Sequence, residues 1–163
     1  MTATELLNIT SEIIIDKIKN HKGLNEFVVE RSKFEGWLKV EFVEALIKNG
    51  IKAKPEIDRI DISFNKTAIE LKTINTNYRY NKIKNKTRPI TKNIKSIKKD
   101  IKKLKDNKNF DNKFVVFIVF PLETEQKEWI SHLTKIKNEL FELVFKEFKF
   151  NNGAPGVIYY GKI

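Results

Sequence analysis

Sixteen residues, Ile57-Asp-Arg-Ile-Asp-Ile-Ser-Phe-Asn-Lys-Thr-Ala-Ile-Glu-Leu-Lys72, constrain this chain more than any other stretch. Apolar and polar residues alternate on both sides of Asn65-Lys66, the period of strands with one buried face. The stretch therefore predicts two strands joined by a tight turn. On the first arm Ile60, Ile62 and Phe64 share a face and Asp61 takes the other. On the second arm Ile69 and Leu71 share the buried face, and Glu70 and Lys72 take the opposite one.

With Phe64 opposite Thr67, Ile62 faces Ile69, Asp61 faces Glu70 and Arg59 faces Lys72. A two-residue or a four-residue loop gives this pairing; a three-residue loop shifts it by one and separates the acids. Like charges directly across a ladder destabilise it, by roughly 0.2–1 kcal/mol on the scale of cross-strand pairs. A chain that needed only to fold would avoid the arrangement. Two converging carboxylates beside an ammonium make a site for a hard cation, because Mg²⁺ prefers oxygen ligands and keeps its own waters.

Asp61, Glu70 and Lys72 resemble the motif of the PD-(D/E)XK nuclease superfamily, an Asp on one strand and Glu-x-Lys on the next, after a helix that carries a Glu. The resemblance covers roughly residues 32–120. The strings Glu70-Leu-Lys-Thr-Ile-Asn-Thr-Asn77 and Arg88-Pro-Ile-Thr91 are similar to those of uncharacterised proteins resembling this superfamily. The departure is that no Pro precedes Asp61; the nearest is Pro55. Asp58 is a rival ligand, but in this register it falls on the Ile60 face. Two further Glu-x-Lys strings, Glu125-Gln-Lys127 and Glu147-Phe-Lys149, sit in a helical pattern with no acidic strand before them.

The resemblance implies a metal-dependent nuclease that hydrolyses DNA phosphodiester bonds. Asp61, Glu70 and the backbone carbonyl of Leu71 would hold Mg²⁺, with Mn²⁺ as the alternative. Lys72 would orient the attacking water and stabilise developing charge. The helix before the strands offers Glu41 as first choice for a further acidic ligand. Glu35 is second, because Ser32-Lys-Phe-Glu35 already reads as a capping box that uses it. The implied fold is α/β, a restriction-endonuclease-like core with a central mixed sheet flanked by helices on both faces.

A chain of 163 residues is read as one domain, 1–163, with a helical extension over 1–31, the core over 32–120 and a C-terminal helix and edge strand over 121–163. It has no cysteine, which excludes disulfides and zinc–thiolate sites and favours a cytoplasmic setting. No apolar run approaches the ~20 residues of a membrane span, and no signal-peptide pattern opens the chain. From Arg79 to Lys108 thirteen Lys and Arg stand against two Asp, so the whole excess of +11 lies in that segment. Such a concentration is an electrostatic footprint for a polyanion.

Taken in order, residues 3–20 predict an amphipathic helix ended by His21-Lys-Gly23. A second helix runs from the capping box to Asn49, and Gly50 stops it. Ile51 to Lys54 read as a short first strand bounded by Pro55. After Lys72, Asn75, Asn77, Arg79, Arg88 and Lys92 are candidates for phosphate contact, and Tyr78 or Tyr80 for stacking on a base. Residues 90–106 predict a helix with Ile90, Ile94, Ile97, Ile101 and Leu104 inward and Lys92, Lys95, Lys99 and Lys102 on another side. Lys113 to Phe120 reads as a central strand buried on both faces. Residues 124–149 predict a long helix with Ile130, Leu133, Ile136, Leu140, Phe141, Val144 and Phe148 inward, and Val157 to Tyr160 an edge strand.

Two other functions compete. One is a catalytically inactive DNA-binding module of the same fold within a larger complex. The other is a basic RNA-binding protein, which leaves the paired acids unexplained. DNA is the expected partner and no organic cofactor or membrane is called for. Cutting both strands would need a homodimer, which the sequence neither shows nor forbids.

Overall fold

The computed structural model describes residues 1–86 and 89–163; Arg88, one of the expected phosphate contacts, lies outside the described residues. Among the described residues the chain forms five helices and six strands. They run α1 (Ala3–Lys19), α2 (Lys22–Val29), α3 (Glu35–Lys48), β1 (Lys54–Ile57), β2 (Ile60–Phe64), β3 (Thr67–Asn75), α4 (Ile90–Asp106), β4 (Asn112–Phe120), α5 (Lys127–Lys137), β5 (Glu142–Lys149) and β6 (Pro155–Lys162). One mixed sheet has the order β1-β2-β3-β4-β6-β5. No described helix is long and apolar enough to cross a membrane.

The sheet begins as a meander of β1, β2 and β3, each antiparallel to the next. Asp58-Arg59 and Asn65-Lys66 join these strands, and all four residues have positive φ (53°, 62°, 41° and 61°). These are the two-residue turns whose twist suits a hairpin. The predicted register holds through Phe64↔Thr67, Ser63↔Ala68 and Ile62↔Ile69. The first strand, by contrast, lies three residues later than 51–54 and includes Pro55. An edge strand tolerates a residue that cannot donate to the ladder. α4 then crosses over, and β4 returns parallel to β3 in register Glu70↔Val115 and Lys72↔Phe117.

Helices cover both faces. Leu7, Ile14 and Ile18 of α1 and Leu38, Phe42 and Leu46 of α3 pack on Ile62, Ile69, Leu71 and Val116. Ile94, Ile97 and Ile101 of α4 and Trp129 and Ile136 of α5 pack on Ile74, Val115, Phe117 and Tyr159 of the other face. β4 is buried from Phe114 to Phe120, as expected of a central strand.

Three local expectations fail for identifiable reasons. His21 does not end the first helix; its Nδ1 accepts the Leu24 N–H (3.2 Å) and caps a second helix, with Gly23 inside that helix. The Ser32–Glu35 capping box does not form. α3 starts at Glu35 behind Phe34, whose side chain has no acceptor to cap it, and the Glu35 carboxylate takes the Thr73 N–H instead of reaching back. The long helix over 124–149 stops at Lys137, and residues 142–149 form a strand instead.

That strand is held by side chains lying over glycines of its neighbour. Phe148 pairs with Gly156 and Leu143 with Gly161. A Cβ at Gly156 would come within 2.6 Å of the Phe148 ring, and one at Gly161 within 2.5 Å of Leu140. Strand pairing thus overrides a sequence that suits a helix equally well. It also moves the edge: β6 lies between β4 and β5, and β5 is outermost. Ile130 and Phe141, expected inward, are exposed.

Candidate functional site

The site lies where β2 and β3 part. Their ladder ends at Ile62↔Ile69. The next hydrogen-bonded pair of that ladder would be Ile60 with Leu71, since such pairs alternate. There the Leu71 N–H instead donates to Asp61 Oδ2 at 2.8 Å. Two residues on, the Thr73 N–H donates to Glu35 Oε1 at 3.1 Å, and the Thr73 hydroxyl accepts the Phe34 N–H at 3.0 Å. Two carboxylates therefore complete the edge of β3 where its partner has turned away. A residue's N–H and C=O point to the same neighbouring strand in such a ladder, so the Leu71 carbonyl also opens into this gap.

The parting of the strands corrects the expected faces. Ile60 packs with Ala68 and Leu104 on the α4 side, not with Ile62 and Phe64. Arg59 belongs to the β1–β2 turn and does not face Lys72. Asp58 is in the same turn, and of the two rival acids only Asp61 reaches the gap.

Asp61, Glu70 and Lys72 each have a counter-charge. Lys39 of α3 lies 2.7 Å from Asp61 Oδ1 and also pairs with Glu56. Lys103 of α4 lies 2.5 Å from Glu70 Oε1 and donates to the Arg59 carbonyl at 2.9 Å. Lys72 lies 3.2 Å from Asp100 Oδ2, again on α4. Burial pushes Asp61 up, but the Lys39 ammonium, the Leu71 N–H and a hydrogen bond with Glu70 outweigh it and hold Asp61 below the usual carboxylate range. Glu70 goes the other way. It is 3% exposed, and burial pushes it up to about 7; Lys103 opposes the shift, while the charges of Asp61 and Asp100 add to it. Burial lowers Lys72, but the charges of Asp100 and Glu35 prevail and hold the ammonium above its ordinary value.

The expected residues thus divide. Asp61, Glu70, Lys72 and the Leu71 carbonyl converge. Glu41 does not: it turns to α1 and pairs with Lys17. The helix acid near the gap is Glu35, the second choice, which sits one and a half turns earlier at the start of α3. Asn75 is also removed from the phosphate contacts. It is 1% exposed, its Nδ2 donates to the Arg31 carbonyl (2.5 Å) and its own carbonyl accepts from Asn93 (3.0 Å). Asn77 and Arg79 are exposed in the loop that follows, where Arg79 lines a cavity with Tyr78 and Tyr80.

Lys92, Lys95 and Lys99 are exposed on α4. At 3.6 residues per turn, Lys92, Lys99 and Lys103 fall on the flank that carries Asp100 toward β3. Lys98 and Lys105 lie on the opposite flank and pair with Glu139 of the segment after α5.

Four residues at or behind the site escape the sequence reading. Asp100 had a signal: it is one of two acids in a run of thirteen cations, at a position of the inward stripe between Ile97 and Leu104. Lys39 and Lys103 had none, since lysines are plentiful. Arg31 is fully buried, and its guanidinium donates to the carbonyls of Lys84 (2.8 Å), Thr76 (2.6 Å) and Tyr78 (2.5 Å). It fixes the chain that leaves β3, and nothing in Glu30-Arg-Ser32 announces it.

Among the described residues no three His, Cys, Asp or Glu side chains gather as a ligand cage. Two carboxylates and a backbone carbonyl nevertheless suit Mg²⁺, which binds through one or two carboxylates and retains water. Glu70 Oε1 fits that role, being buried and already facing a cation, the Lys103 ammonium. No family model matches the chain, and comparison with curated proteins and with solved structures finds no match.

Proposed function

We propose that the protein is a metal-dependent nuclease of PD-(D/E)XK type that hydrolyses DNA phosphodiester bonds. The observation that carries this reading is the convergence of Asp61 and the buried Glu70 in a gap between strands, with Lys72 two residues along the same strand. The element order supports it: a helix, three antiparallel strands, a crossover helix and a parallel strand accommodate the core that this resemblance implies.

Asp61, Glu70 and the Leu71 carbonyl would hold Mg²⁺ or Mn²⁺. Bound there, the cation would polarise a phosphate and lower the pKa of a water. Lys72, held by Asp100, presents an ammonium beside the acids and stabilises negative charge developing on phosphate oxygens. Glu35 borders the gap and raises the local negative potential that retains a cation. Lys92, Lys95 and Lys99 of α4, with Asn77 and Arg79, offer donors to the phosphate backbone.

Mg²⁺-dependent cleavage of linear duplex, single-stranded and branched DNA by the wild type and by Asp61→Asn tests the reading. Cutting by the wild type alone supports it and shows the substrate class. If both proteins bind DNA equally and neither cuts, the same fold serves as a DNA-binding module. The engagement of Asp61 and Glu70 by Lys39 and Lys103 favours that second reading.

A further inference from the structure

The geometry points to Lys103 as an internal stand-in for the cation, an ammonium latch that must leave Glu70 before a divalent ion can bind, while Asp100 keeps Lys72 from taking its place. The inference deepens the nuclease reading and rests on Glu70 being a cation ligand.

Strand and helix meet here with reciprocal charges. Glu70 and Lys72 are two residues apart on β3 and share a face. Asp100 and Lys103 are three apart on α4 and share a face one turn long. Asp100 takes Lys72 (3.2 Å) and Lys103 takes Glu70 (2.5 Å). The two acids in this exchange each present a buried oxygen to the ammonium of the other element, Glu70 Oε1 and Asp100 Oδ2. Lys103 is also the most exposed of the four, at 40% of its side chain against 21% for Lys72, 13% for Asp100 and 4% for Glu70. It is the member that solvent can receive. Its other contact, the Arg59 carbonyl, lies at the rim of the site, so the side chain has a place to rest when released. On departure it joins the flank of α4 that already carries Lys92 and Lys99, where a phosphate would meet it.

The two helix residues should then act in opposite directions on cation affinity. The test is calorimetric titration of Mn²⁺ into metal-free protein, with no DNA present. Lys103→Gln should bind about tenfold more tightly than wild type, the scale on which one neighbouring charge shifts a carboxylate equilibrium. Lys102→Gln removes the same charge one residue away, where Lys102 pairs with Asp106, and should stay within about twofold. Asp100→Asn should weaken binding, because Lys72 is then free to turn to Glu70. If wild type and Lys103→Gln bind equally, the latch is overturned and the cation site stands. If neither wild type nor Lys103→Gln binds Mn²⁺, the cation reading falls and the latch with it. A second measurement uses wild type alone and does not depend on a variant folding. Acylation of lysines mapped by mass spectrometry should show Lys103 becoming more reactive on adding Mn²⁺ while Lys102 does not; unchanged Lys103 overturns the proposal.

Discussion

The Thr73 N–H donates to Glu35 Oε1, 3.1 Å away and thirty-eight residues back along the chain. One bond thus caps the open edge of β3 and points a helix carboxylate at the site. Glu35→Ala should cost about 1–3 kcal/mol in urea denaturation, the penalty of an orphaned buried donor. Glu35→Gln keeps an acceptor and should recover most of that loss. Glu41→Ala breaks a partly exposed pair with Lys17 and should cost under about 1 kcal/mol. Cleavage should fall with Glu35→Ala and persist with Glu41→Ala; the reverse order would restore Glu41 to the site.

Glu70 supplies a pH dependence with a definite sign. Its folded value, about 7, lies above the ordinary carboxylate range. The folded state therefore binds more protons than the unfolded state between about pH 4.5 and 7, and stability falls as pH rises through that window. Glu70→Gln cannot ionise and lacks this loss. In metal-free buffer the variant should gain on wild type between pH 5 and pH 8, by on the order of 2–3 kcal/mol. A constant difference across that range would contradict a carboxyl raised to about 7 by burial.

Arg31 should be among the most sensitive positions in the molecule. Arg31→Met leaves the carbonyls of Thr76, Tyr78 and Lys84 without their donor. The expected loss is about 3 kcal/mol or more, as for other broken buried charge networks. Hydrogen exchange should accelerate over residues 76–84 before it does so in β4. Equal protection in both proteins would show that the loop is held by other means.

DNA affinity should report which lysines meet phosphate. Each contact contributes about 0.9 to the slope of log affinity against log salt on duplex DNA. Lys92→Gln with Lys99→Gln should lower that slope by about 2. Lys98→Gln with Lys105→Gln, which removes equal charge from the flank facing Glu139, should change it little. Identical slopes for the two double variants would argue against docking along the Asp100 flank.

The hairpin was legible because its determinants are local. Alternation set the faces, and Asn65-Lys66 set the loop, so the register through Ile62↔Ile69 followed. The break after Ile62 was not legible, because it depends on Asp61 taking a backbone donor from Leu71. Pure alternation carried Ile60 to the wrong face for the same reason. Glu35 and Glu41 could not be ranked from helix periodicity, since apolar residues wrap much of α3; β3 decides between them. The strand at 142–149 was hidden by side chains that also repeat at helical spacing, and only the glycines of β6 show what they pack on. Asp100 was visible as an acid in an apolar stripe, yet its partner lay on a strand twenty-eight residues away.

The gap between β2 and β3 has a consequence for spectroscopy. Leu71 and Thr73 donate their amide protons directly to Asp61 and Glu35. Amide proton shifts respond to the charge on the acceptor, so these two resonances act as internal electrodes along the open edge of β3. A ligand that draws on the carboxylates would move both signals, while one confined to the lysine flank of α4 would leave them still. Two peaks in an amide spectrum can therefore separate occupancy of the acid cluster from attachment along the helix, with no label beyond ¹⁵N.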